Sequence, residues 1–95
     1  MSDKQDYIEK LKAQANVWRT QIAQLEARAD KAEADAKHEY TKQLQQLQER
    51  VDQFEQKIDE IKKSSDDAYG ELKVGAEQAW NDIGNAFSNA LEQIK

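Results

Sequence analysis

From Ile8 onward the apolar residues return at intervals of three and four: Ile8, Leu11, Ala15, Trp18, Ile22, Leu25, Ala29, Ala32 and Ala36. Such steps put one side chain per turn on the same face of an α-helix, the heptad pattern of helices that pack along a seam. The spacing then widens to four and four through Tyr40 to Leu44, and resumes with Leu47, Val51, Phe54, Ile58 and Ile61. All sixteen positions are apolar although only 38% of the chain is. The pattern predicts a helical seam over residues 3–63. The widened step has two readings. It locally unwinds the supercoil of one unbroken helix, or it marks a place near residues 33–40 where the chain turns back. No Gly, Pro, Ser or Asn lies between Thr20 and Ser64, so the unbroken helix is the preferred reading.

Clear punctuation comes later. Lys62-Lys63 precede Ser64-Ser65, and Asp66-Asp67 follow. Cations suit the negative end of a helix and acids the positive end, and Ser is a good N-cap. These six residues predict a helix stop and restart, with a turn at 64–67. At the other end, Ser2-x-x-Gln5 has the form of a capping box before the first seam residue.

The last segment, 68–94, carries a wider stripe: Leu72, Ala76, Ala79, Trp80, Ile83, Ala86, Phe87, Ala90, Leu91 and Ile94. A wide stripe suits a helix that contacts two neighbours at once. Gly70, Gly75 and Gly84 each lower its intrinsic helicity by up to about 1 kcal/mol relative to Ala. This helix therefore depends on packing and is expected to be the least stable element.

Composition agrees with helices. Ala, Glu, Lys, Leu and Arg make up 43 of the 95 residues, and 12 Gln bring the good helix formers to 55. With no Cys and no Pro, neither disulfides nor thiolate metal sites can brace the chain. Leu, Ile, Val and Phe reach only 17 of 95, a share at which many chains stay disordered. The uninterrupted seam decides for folding. The net charge of −5 argues against nucleic acid, which needs a basic stripe. No apolar run approaches the roughly 20 residues that span a bilayer, and the first residues lack the apolar core of a signal peptide. A cytoplasmic protein is expected.

Little in the chain could carry catalysis. His38 is the only His and lies off the seam, where a solvated His is expected. The serines sit in no nucleophile motif, and Asp66, Asp67 and Glu71 lack the ligand spacing of a calcium loop. No enzyme activity, no cofactor and no metal site is expected. Trp18 and Trp80 fall at core spacing and read as buried anchors rather than ligand stackers.

Three stretches carry a resemblance: Tyr7 to Gln14 (YIEKLKAQ), Lys31 to Gln48 (KAEADAKHEYTKQLQQLQ) and Ala79-Trp80-Asn81-Asp82-Ile83. In these the chain resembles a family of small bacterial coiled-coil proteins described as stress-response proteins, known from cyanobacteria and other bacteria. The resemblance implies a helical, non-catalytic protein and carries no site residues. A looser likeness to phasins and apolipoprotein-like helices implies a coat on a lipid or polymer surface.

The expected fold is all-α: an antiparallel coiled coil or three-helix bundle, a single domain over 1–95. The expected association seam comprises Ile8, Leu11, Trp18, Ile22, Leu25, Leu44, Leu47, Val51, Phe54, Ile58, Ile61, Leu72, Trp80, Ile83 and Phe87. An unbroken helix over 3–62 would be roughly 90 Å long, and the last helix would cover only half of it. Two copies pairing their long helices would cover the rest, making a swapped dimer; a turn within one chain makes the same contacts. Either way Trp18 should meet Phe54 or Ile58, and Leu72 or Ala76. Trp80 should meet Leu47 or Val51, and Ile22 or Leu25. The expected function is helix-mediated association with a second copy or a protein partner, as a scaffold or stress-response protein. The alternative is an amphipathic protein coating a lipid or polymer surface.

Overall fold

The computed structural model describes residues 3–94, so the capping box at Ser2 lies outside the described residues. Three helices follow one another: α1 (Asp3–Asp30), α2 (Ala34–Lys63) and α3 (Asp66–Gln93). They form an up-down-up bundle measuring 50 × 20 × 18 Å. The antiparallel course of α1 and α2 shows in paired side chains, Arg19 with Asp52 and Glu55, and Glu26 with Gln48. That of α2 and α3 shows in Phe54 with Trp80 and Gln43 with Gln93. Helix α2 approaches both others closely along its length, whereas α1 and α3 run parallel and lie farther apart.

The long unbroken helix is not formed. Helix α1 ends at Asp30, and Lys31, Ala32 and Glu33 carry the chain over to α2. The amides of Lys31 and Ala32 bond back to the carbonyls of Arg28 and Ala29, tightening the last turn. Glu33 is extended (φ −66°, ψ 158°) and caps α2 without a side-chain hydrogen bond. The turn thus spans residues 31–33, at the start of the 33–40 stretch named in the second reading, and the rest of that stretch is the first turns of α2. Its cause is burial. Breaking here brings Ala15, Trp18 and Ile22 against α2 within a single chain, so no second copy is needed to cover the seam. The widened step is explained too. Ala29 is the last buried residue of α1 and Leu44 the first of α2. Ala32, Ala36 and Tyr40 lie half-buried at the end of the bundle rather than in a seam layer.

The second turn is shorter than expected. Only Ser64 and Ser65 are non-helical, and Asp66-Asp67 form the first turn of α3. Both serines are extended. Ser65 is the N-cap, its hydroxyl accepting from the amide of Ala68 at 3.3 Å. Ser64 donates its hydroxyl to the carbonyl of Ile61 at 2.6 Å. Lys62 and Lys63 close α2 while Asp66 and Asp67 open α3, each charge matching the dipole end beside it.

The core is continuous through the bundle and, among the described residues, holds no buried polar side chain. Leu11, Leu25, Val51, Phe54, Ile61 and Ile94 are fully enclosed. Burying a large aliphatic or aromatic side chain contributes about 1.5–3 kcal/mol, so this column outweighs every polar contact in the molecule.

Candidate functional site

Thirteen of the fifteen expected seam residues are buried: Ile8, Leu11, Trp18, Ile22, Leu25, Leu44, Leu47, Val51, Phe54, Ile58, Ile61, Ile83 and Phe87. Leu72 and Trp80 are half-buried, packed against the core from its edge. The structure therefore places the seam inside one chain, where it builds the fold. What it leaves at the surface is the flank where α1 and α3 face each other.

That flank is organised by aromatic rings. Trp18 is 2% exposed and meets Phe54 edge-on at 4.9 Å between centroids, as the sequence predicts. On α3 its ring neighbours are Trp80, edge-on at 6.1 Å, and Phe87, stacked at 5.8 Å. The expected α3 neighbours were Leu72 or Ala76; the rings that Trp18 meets come at least one turn later in α3. Trp80 likewise meets Trp18 and Phe54, one layer earlier in α1 than the expected Ile22–Leu25 level. The ammonium of Lys10 lies 5.4 Å from the Trp80 ring centre, a cation–π contact at an exposed edge.

Below this layer a second cluster joins α1 to α3. The phenol of Tyr7 donates to the carbonyl of Lys73 at 3.4 Å, and the Lys73 ammonium lies 5.1 Å from the Tyr7 ring centre. Tyr69 meets Tyr7 edge-on at 6.2 Å. Burial first, and then the negative charge of Glu77 and the neighbouring Tyr69, push the Tyr7 phenol above its ordinary 10.0. Lys4 donates to the carbonyl of Ser64 at 2.5 Å, tying the start of α1 to the α2–α3 connection. Tyr7, Lys10, Glu77, Trp80 and Asn81 line a shallow recess of about 280 Å³.

Along the same flank stand apolar side chains that the core leaves outside. Val17 is 49% exposed and Leu91 39%. Val17 follows Lys10 by two turns, and Leu91 follows Trp80 by three, so each continues the line its predecessor begins. Val74, 56% exposed, stands apart on the outer side of α3. Tyr7, Lys10 and Val17 were not among the expected seam residues. Their signal is a second row at helical spacing, 7, 10, 14, 17 and 21, beside the row from Ile8. Its polar members, Lys10, Gln14 and Gln21, hide it.

The α1–α2 side is polar by contrast. One Arg19 nitrogen donates to both Asp52 and Glu55, and these bonds hold the guanidinium above its ordinary range. A recess of about 340 Å³ lies nearby, walled by Lys12, Asn16, Glu55, Asp59 and Lys62 over Ala15 and Ile58. His38 is exposed on α2. Among the described residues no three His, Asp or Glu side chains gather where they could hold a metal ion. Nor is any helix long and apolar enough to cross a membrane. No protein-family model, curated protein or solved structure matches this chain.

Proposed function

We propose that this protein works without catalysis, by helix-mediated association with a second copy or a protein partner. The observation that supports it is the α1–α3 flank. There Val17 and Leu91 stand exposed beside half-buried Trp80, whereas among the described residues the other large apolar side chains are, Val74 aside, buried or half-buried. A half-exposed Trp beside aliphatic side chains, rimmed by Lys10, Glu77 and Asn81, has the composition of a small protein-binding patch. A stress-response role belongs to the same proposal on the strength of the resemblance described above, and dimerisation on that of the exposed flank; the expected cytoplasmic location is kept with them as part of the proposal.

A second reading, a coat on a lipid or polymer surface, is favoured by the breadth of the α3 stripe, which runs from half-buried Leu72 and Trp80 to exposed Leu91. Against it stands charge. The only basic side chain in α3 is Lys73, beside six acidic ones, whereas surface-bound helices usually carry a basic polar face. Light scattering of the full chain with and without anionic vesicles separates the two. Association predicts a mass above the 10.9 kDa of one chain that vesicles leave unchanged. A single-chain mass, with vesicle binding and altered helicity, would replace it with the coat.

A further inference from the structure

Gly70, Gly75 and Gly84 all lie within α3. A glycine inside a helix is ordinarily explained by a backbone angle or a close neighbour. Neither applies here. None of the three has a positive φ. A methyl group added at any of them would meet nothing within 4 Å. Their remaining physical effect is to weaken α3 as a helix.

Other features of α3 point the same way. The described ion pairs join α1 to α2, through Arg19 with Asp52 and Glu55, or lie within α2, as Lys63 with Asp59. None holds α3. Helix α3 approaches α2 closely but stands off from α1, meeting it through the Trp18, Trp80, Phe87 and Tyr7 side chains. Its connection to α2 is two extended serines, tied to the start of α1 through the Lys4 hydrogen bond to the Ser64 carbonyl, which release would break. Its net charge over Asp66–Gln93 is −5, counting six acids and Lys73, so the helix also repels itself.

We propose that α3 is a releasable element, which undocks and unfolds as a unit from Ser64–Ser65 onward while α1 and α2 stay paired. Release uncovers Trp18 and the α3-facing side of Phe54, a much larger apolar surface than the closed bundle offers. The use of that surface rests on the association proposed above; the release itself does not.

Native-state hydrogen exchange of the full chain across low urea concentrations tests it. The α3 amides of residues 75–88 should share one opening isotherm and exchange at least about tenfold faster than those of residues 47–58 in α2. The triple variant Gly70→Ala, Gly75→Ala, Gly84→Ala should slow the α3 amides by about a hundredfold, roughly fivefold per site. A single isotherm shared by all three helices would overturn the proposal. So would α3 rates graded from the C-terminal end inward, which is fraying, or α3 rates unmoved by the three alanines. A chain whose α3 opens but whose mass stays that of one copy keeps the release and loses association with a second copy.

Discussion

The indole of Trp18 and the ring of Phe87 lie only 7° from parallel, with their centroids 5.8 Å apart. Phe54 and Trp80 stand edge-on to the same indole. Trp18 is thus the point where all three helices meet, α1 supplying the indole, α2 one edge and α3 both a face and an edge. Parallel-offset and edge-on pairs are the arrangements that aromatic quadrupoles favour.

The first prediction follows from that position. Trp18→Ala should cost about 3–5 kcal/mol, and Leu47→Ala or Phe54→Ala about 2–5 kcal/mol, because each empties a closed site. Exposed Gln45→Ala should stay within about 0.5 kcal/mol. Urea midpoints of the four variants give the comparison. Equal, small shifts would mean that the aromatic layer does not hold the bundle.

The two helix starts make a contrasting pair. Ser65 caps α3 through its hydroxyl, and Ser65→Ala should cost about 1 kcal/mol. Glu33 leaves the first amides of α2 without a side-chain acceptor, so Glu33→Ser should gain about 0.5–1 kcal/mol. Thermal unfolding of both variants should move in opposite directions. A Glu33→Ser variant less stable than the parent would show that Glu33 supports the turn in some other way.

Alkaline pH should loosen the α1–α3 contact. The Tyr7 phenol is raised above 10.0, chiefly by burial. The folded state therefore holds this proton more tightly than the unfolded chain does. The sign is that of a raised acid: the stabilisation is whole below the unfolded value and fades as pH climbs past it toward the folded one. Absorbance titration should show a late tyrosine ionisation above 10.0, and Tyr7→Phe should remove it. An unchanged titration curve in Tyr7→Phe would contradict the assignment.

Salt should matter little. The Arg19 side chain is 40% exposed and its partners 61% and 48%, and exposed pairs contribute about 0–1 kcal/mol. Arg19→Ala should therefore shift the urea midpoint less than any aromatic substitution, and melting temperatures at low and physiological salt should nearly coincide. A collapse between the two would show that charge, not the core, sets stability.

The core was largely legible in the sequence because burial on a helix imposes a period. Every seam residue from Ile8 to Leu25 and from Leu44 to Ile61 occupies the inside of the bundle. The Ser64–Ser65 break was legible because it uses a cap and matched charges. The break after Asp30 was legible only as one of the two readings of the widened step through Tyr40 to Leu44. Lys31, Ala32 and Glu33 make their turn without a single positive φ, so it needs no Gly or Asn and leaves no mark in the residue types. What drives it is contact between residues far apart in the chain, Trp18 with Phe54 above all, and spacing within one helix is silent on that. Tyr7 escaped because its neighbour Ile8 carries the period and Tyr7 only joins it from the side. The α3 register was misjudged because a wide stripe fixes which face is buried but not how far the helix slides.

The up-down-up order also decides how the molecule carries a load. Asp3 lies at one end of the bundle and Ile94 near the other, about 42 Å apart along helices of 28 residues at 1.5 Å per residue. A pull between those two points runs parallel to every helix. It would drag α1 along α2 and α2 along α3 in shear, opposing many side-chain contacts together, where a pull across one end would peel them apart in sequence. Rejoining the two ends in a circular permutant would need a bridge of at least about 12 residues, since an extended chain spans at most about 3.6 Å per residue.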